Sequence, residues 1–165
     1  MMEIEIEQLE PNQKNGQDLY DFLVLNFYPE VSLTGETELP LDIRGVSEEI
    51  NHHLFKGKVF VATENGTIVG SIGVCPDKLF WTSEMVMTDC FFFVHKDYRG
   101  GLIATELLRE AENYAEEQEI PLMIQIGNAN SGERAHAFFK KHGYDFIGGC
   151  YIKGSFNDGI STIKN

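Results

Sequence analysis

The residues of this chain best placed to do chemistry lie between Phe91 and Glu117. An apolar run, Phe91-Phe92-Phe93-Val94, passes through His95-Lys96-Asp97-Tyr98-Arg99-Gly100-Gly101 into a long amphipathic segment. That is a strand, a glycine turn and a helix start. Two consecutive glycines let a ligand come close to the backbone. The first-turn N–H groups of a helix have no internal partner and favour an anion. The expected chemistry is therefore a phosphate cradle. A P-loop needs G-x-x-x-x-G-K-[ST] and a dinucleotide fold needs G-x-G-x-x-G, and neither pattern occurs.

Other reactive side chains carry weaker signals. Glu48, Glu49, His52 and His53 sit at helical spacing that suits metal ligands. H-E-x-x-H is absent, however, and the same pattern describes a solvated helix face, so no metal is expected. Cys75, Cys90 and Cys150 are odd in number and widely spaced, without a C-x-x-C motif, and read as reduced, buried thiols. Cys90 has no evident histidine partner in the sequence, which argues against a covalent enzyme intermediate. Phe80 and Trp81 read as core or rim aromatics, and His136 and His142 as surface residues of a last helix.

The elements that must position the turn follow from periodicity and breakers. Residues 2–9 alternate acid and apolar as a first strand. Leu19, Phe22, Leu23 and Phe27 give a helix that Pro29 should close. Residues 28–42 read as an exposed loop, the kind of segment that often carries substrate contacts. Val46, Ile50, His53 and Leu54 predict a short helix. Residues 59–63 and 68–74 flank Glu64-Asn65-Gly66-Thr67, a hairpin signal. Residues 84–94 predict the strand leading into the turn, and Ile103, Leu107, Ala111, Tyr114 and Gln118 one stripe of the helix after it. Residues 121–126 predict a strand parallel to its predecessor. Asn130 reads as an N-cap with Glu133 completing a capping box. The short helix that follows should stop at Gly143. Residues 144–147 and 150–152 are expected to add two strands.

At 165 residues the chain is expected to be a single domain, 1–165. Hydrophobic residues make up 42% and charged ones 24%, a globular balance without an apolar run long enough to span a bilayer. The start lacks a basic n-region, so the expected location is cytoplasmic. Thirteen basic residues against 26 acidic ones give a formal charge of −13. That charge disfavours nucleic acid and anionic membranes and favours cationic partners. A homodimer stays open.

Tyr98-Arg99-Gly100-Gly101-Leu102-Ile103-Ala104 resembles the pyrophosphate loop of the GCN5-related N-acetyltransferase superfamily: Arg or Gln, two residues, Gly, one residue, then Gly or Ala. Arg99 and Ala104 fit the ends, and Leu102 stands where the middle glycine usually is. A second signature is matched in spacing by Asn130, Ala135, Phe139, Gly143 and Tyr144, with Phe139 in the place of a tyrosine. The order of elements is similar to the family fold along nearly the whole chain. That fold is α/β (α+β), with a mixed, mostly antiparallel sheet flanked by helices.

The resemblance implies acetyl-CoA as cosubstrate, bound between two strands that splay apart. Its pantetheine arm would lie along the backbone of Phe92, Phe93 and Val94. Its pyrophosphate would sit on the amides of Gly100, Gly101, Leu102, Ile103, Ala104 and Thr105, with Arg99, Asn130 and Phe139 completing the cofactor site. The implied reaction is direct attack on the thioester by a primary amine, on a small molecule or a protein, after a base has made the amine neutral. Asp89, on the strand leading to the turn, is the first candidate base and Glu84 the second. Glu36, Glu38 and Asp42 are candidate attractors for a cationic acceptor. The rival reading is a protein that binds CoA or acyl-CoA with little or no turnover, which Leu102 and Phe139 make conceivable. An aminoacyl-tRNA acceptor is disfavoured by the acidic surface.

Overall fold

The computed structural model describes residues 3–31, 33–34, 37–38, 40–125 and 132–148, with the backbone alone for 33–34 and 37–38. In chain order the elements are β1 (Ile4–Gln8), α1 (Gln13–Phe22), a π-helical turn (Leu23–Phe27), α2 (Tyr28–Val31), β2 (Leu33–Thr34), β3 (Thr37–Glu38) and α3 (Ile43–Lys56). There follow β4 (Lys58–Glu64), β5 (Thr67–Lys78), β6 (Met85–Val94), a 3-10 turn (Lys96–Tyr98), α4 (Ile103–Glu117), β7 (Leu122–Met123) and α5 (Gly132–Lys141). They belong to two compact units, Met1–Phe27 with Asp42–Gln125, and Tyr28–Leu41 with Ile126–Asn165.

The first unit is built on a five-stranded sheet in the order β1-β4-β5-β6-β7. All pairs are antiparallel except β6 with β7. The β4–β5 hairpin turns where Asn65 and Gly66 both take positive φ, 51° and 78°, as a two-residue turn of the primed type requires. Strand alternation then divides the sheet between two helical layers. Phe60, Ala62, Ile72, Val74 and Met87 face α4, which buries Ile103, Leu107, Ala111 and Ala115 against them. Val59, Val61, Phe91 and Phe93 face α1 and α3, which supply Leu19, Phe22, Ile50 and Leu54. Burying each such side chain contributes roughly 1.5–3 kcal/mol, so both layers hold the sheet rigid under the site.

Helix α1 starts at Gln13, where the Asn12 side chain accepts from the Asn15 N–H at 2.8 Å. The apolar run after it continues as a π turn, a local widening that the 3.6-residue spacing of Leu19, Phe22, Leu23 and Phe27 did not announce.

In the second unit, Pro29 does not close the run of helix. It lies in the first turn of α2, where a missing N–H costs little. The expected irregular loop over 28–42 contains α2 and the short antiparallel pair β2–β3. Helix α5 stops at Gly143 as expected. Gly143 has φ 84°, its N–H reaches the Lys140 carbonyl at 3.1 Å, and the Tyr144 N–H reaches the Phe139 carbonyl at 3.0 Å. Residues 144–147 form no strand. Phe146 and Ile147 are exposed there, and an apolar alternation without a pairing edge does not make a strand. Asn130 and residues 150–152 lie outside the described residues.

Candidate active site

The strand that leads to the glycine turn is not regular. Ser71 pairs with Phe93 and Gly73 with Cys90, so two residues of β6, Phe91 and Phe92, stand opposite Ile72 alone. This is a β-bulge, a device that bends a strand and re-aims its groups beside active sites. Phe91 takes φ 40°, a left-handed conformation that costs a non-glycine residue of order 1–3 kcal/mol. Two contacts hold it there. The buried Ser71 hydroxyl donates to the Phe91 carbonyl at 2.8 Å. The Phe91 ring lies over Gly73 so closely that a Cβ on Gly73 would come within 2.4 Å of it. The glycine of β5 and the bulge of β6 are therefore one feature.

On its other edge β6 pairs with β7 only at Met87↔Leu122 and Thr88↔Met123. Beyond that point, among the described residues, no ladder joins the two strands. The Asp89 carboxylate instead accepts from the Gln125 N–H at 2.8 Å. Among the described residues the parallel pair is therefore confined to the first half of β6, short of residues 92–94.

The turn and the start of α4 stand at the end of that strand. The Tyr98 hydroxyl donates to the Glu64 carboxylate at the end of β4. His95 Nδ1 accepts from the Asp97 N–H at 3.2 Å, a turn role. Arg99 donates from Nε to the Val94 carbonyl at 2.8 Å, and its guanidinium lies over the Phe93 ring at 5.1 Å. Gly100 takes φ 88°, so the left-handed position of the loop falls on a glycine. Leu102 takes φ −94° and fits without strain where the family usually has glycine. No side chain caps α4 among the described contacts, and its first intrahelical bond runs from the Glu106 N–H to the Leu102 carbonyl. The amides ahead of that bond have no intrahelical acceptor. A Cβ at Gly100 or Gly101 would meet nothing within 4 Å. A helix start without a side-chain N-cap, behind two exposed glycines, is of a kind that suits a pyrophosphate, so the residues present suit CoA.

Asp89 also lines an open pocket of about 330 Å³ with Glu49, His52, His53, Cys75, Asp77 and Cys90. Burial pushes the Asp89 carboxyl up to about 6, against the hydrogen bond from Gln125, which lowers it. Burial likewise pushes the Cys90 thiol up to about 12 and raises that of Cys75. His53 is lowered, chiefly by burial. Its Nδ1 must donate to the Glu49 carbonyl at 2.8 Å, which leaves the lone pair of the neutral ring on Nε2. Glu48, Glu49 and His52 are exposed on α3, whereas His53 is buried, so the expectation of a solvated face fails for His53.

The two candidate bases separate. Asp89 lines the pocket, whereas Glu84 is exposed ahead of β6, with its N–H on Thr82 Oγ1, and is not among the lining residues. Phe139 lies on α5, its ring 5.2 Å from Phe138 and 5.4 Å from Tyr144. Of the candidate attractors, Asp42 precedes α3, Glu38 ends β3 and Glu36 lies outside the described residues. Glu49 and Asp77 were missed as pocket carboxylates. They meet only through the packing of α3 on the sheet and the register of β5 with β6. The bulge at Phe91 was missed as well, although Gly73 beside a phenylalanine run was a local hint.

The model of the acetyltransferase (GNAT) domain family matches residues 55–145, over half of the chain. The chain belongs to the GNAT acetyltransferase family. Solved structures agree with this GNAT fold. A predicted acetyltransferase with acetyl-CoA from Clostridium acetobutylicum superposes with TM-score 0.69 and 16% identity, over 93% of this chain and 96% of that one. A GNAT acetyltransferase from Streptococcus pneumoniae gives 0.64 and 22%, over 92% of each chain. An aminoglycoside acetyltransferase from an uncultured soil metagenomic sample, in complex with sisomicin, gives 0.63 and 16%, over 92% and 96%. No curated protein sequence matches the chain. Among the described residues of this GNAT chain, no helix is long and apolar enough to cross a membrane.

Proposed function

We propose that this GNAT domain is an N-acetyltransferase that moves the acetyl group of acetyl-CoA to the primary amine of a cationic acceptor. The observation that carries the reading is the strand, glycine turn and helix unit, in which Gly100 takes φ 88°, no side chain caps α4, and Asp89 of the same strand lines a pocket. The acetyl-CoA and the sisomicin of the two relatives support it by likeness of fold.

In this reading the amides of residues 100–105 hold the pyrophosphate, and the β6 edge at Phe92, Phe93 and Val94 takes the pantetheine. Bound acetyl-CoA supplies an activated acyl carbon. Asp89 accepts a proton from the incoming ammonium. The amine lone pair then forms the C–N bond, the second proton on that nitrogen passes to solvent, the C–S bond breaks, and CoA leaves as thiolate. No covalent enzyme intermediate is required. Acetyl-CoA at about a hundred times its dissociation constant should stabilise the fold by roughly 2.7 kcal/mol, read as a rise in Tm. A folded protein with no shift at millimolar acetyl-CoA would remove the reading.

Glu49, Asp77 and Asp89 around one pocket, on a chain of charge −13, favour a cationic acceptor. The attraction acts over a Debye length of about 30 Å at 0.01 M salt and about 8 Å at 0.15 M. Accordingly, kcat/KM for a polyamine or aminoglycoside should fall severalfold across that range, and that for a neutral amine should stay flat. Equal slopes for the two acceptors would count against the acidic pocket as the attractor.

Phe139 favours the rival reading, a CoA-binding protein with little turnover, because phenylalanine has no proton for the departing thiolate. A thiol of pKa about 8.5 leaves as thiolate near pH 7 at a cost of only about 2 kcal/mol, so turnover should survive. The Tyr144 phenol, on the ring beside Phe139, is a candidate substitute. Phe139→Tyr is expected to raise kcat modestly or leave it unchanged in steady-state assays over a range of pH. An inactive wild type revived by Phe139→Tyr would favour the rival.

A further inference from the structure

We infer that the pocket beneath α3 holds a divalent metal ion of the zinc class, on the Glu49 carboxylate, the His53 imidazole and the Cys90 sulfur. Glu49 and His53 are one helical turn apart and project from the same face of α3, while Cys90 comes from β6. One donor atom from each lies within 4.8 Å of the others. Ligand atoms around tetrahedral zinc, at about 2.0–2.3 Å from the metal, are roughly 3.3–3.8 Å apart. The cluster therefore has to contract by about an ångström. The Glu49 carboxylate stands 3.7 Å from His53 Nδ1 on a side chain 61% exposed, so it can swing toward the His53 Nε2 and Cys90 side of the pocket, and a rotamer change at Cys90 supplies the rest. His53 is fixed, being buried and carrying its Nδ1 proton on the Glu49 carbonyl, the kind of outer hydrogen bond that sets the tautomer of a ligating imidazole.

The mix of sulfur, nitrogen and carboxylate selects zinc, or cobalt as its stand-in, over magnesium or calcium. The pocket, about 330 Å³ and open, gives the ion a way in and leaves room for water at a fourth position. On binding, the Cys90 S–H gives its proton to solvent as the metal–sulfur bond forms. A second sulfur and nitrogen pair, Cys75 Sγ to His52 Nε2 at 3.4 Å, lines the same pocket and serves as the internal control.

The test uses the full chain, stripped with chelator and titrated with Co²⁺, then with Zn²⁺. One equivalent of Co²⁺ should give a thiolate-to-cobalt charge-transfer band that Zn²⁺ displaces. Cys90→Ser should abolish the band and Cys75→Ser should keep it. Glu49→Gln, a near-isosteric change of a side chain that is 61% exposed, should weaken Co²⁺ binding about tenfold or more. A wild type with no thiolate band, a band that survives Cys90→Ser, or unchanged affinity in Glu49→Gln would overturn the assignment.

Discussion

Asp89→Asn is expected to lower kcat by about 10²- to 10⁴-fold while leaving the acetyl-CoA-induced rise in Tm intact. That range is what a positioned general base contributes. The variant is close to a pure test of the charge, because the asparagine oxygen can still accept from the Gln125 N–H that Asp89 engages at 2.8 Å. It should also be more stable than the wild type. The Asp89 carboxyl is raised from 3.8 to about 6 by burial, so ionising it in the folded state is unfavourable. Between those two values the unfolded chain is ionised while the folded one still holds its proton. Wild-type stability therefore falls as pH rises from about 4 to about 6 and stays lower above that. Asparagine removes the loss, a gain of up to about 3 kcal/mol above pH 6 that disappears below about pH 4. Denaturant melts of both forms with chelator present, paired with steady-state rates, check the two halves together. Glu84→Gln, an exposed change ahead of β6, should alter neither. A variant with wild-type kcat would take the base role away from Asp89.

Gly101→Val should abolish acetyl-CoA binding without unfolding the protein. A Cβ at Gly101 meets nothing within 4 Å, so the fold gains no clash. Unlike Gly100, Gly101 does not take a positive φ, so a β-branched residue brings little backbone strain. In the proposed reading, the valine fills the space that the pyrophosphate needs to reach the first amides of α4. At ligand concentrations that shift the wild type by roughly 2.7 kcal/mol, the variant should show no shift, with its own unliganded melt unchanged. A full shift in Gly101→Val would mean that the phosphates lie elsewhere.

What was legible in the sequence was local. Asn65-Gly66 announced its hairpin because a two-residue primed turn needs positive φ at both positions. Gly143 announced the end of α5 for the same kind of reason. The stripe through Ile103, Leu107 and Ala111 identified α4, and the turn before it pointed to a phosphate. What stayed hidden depends on partners distant in the chain. The bulge at Phe91 exists because Ser71 and Gly73 on β5 accommodate it, and no pattern within β6 alone displays that. His53 stood both on the stripe of Val46, Ile50 and Leu54 and in a polar cluster with Glu49 and His52, and the packing of α3 turns it inward toward Phe91, their rings 5.3 Å apart. Asp77 became a pocket carboxylate only through the pairing of β5 with β6. The apolar stretch after α5 misled in the opposite direction, since alternation at Tyr144–Ile147 found no strand to pair with among the described residues.

The most direct measurement of the central claim is amine-dependent release of free CoA from acetyl-CoA by the wild-type protein, followed across a panel of polyamines, aminoglycosides, peptides and neutral amines. Mass spectrometry of the acceptor would run alongside it. The account predicts thiol release matched one for one by an acetylated primary amine, fastest with cationic acceptors and lost in Asp89→Asn. Acetyl-CoA that binds and shifts Tm but yields no acetylated amine from any member of the panel would contradict it.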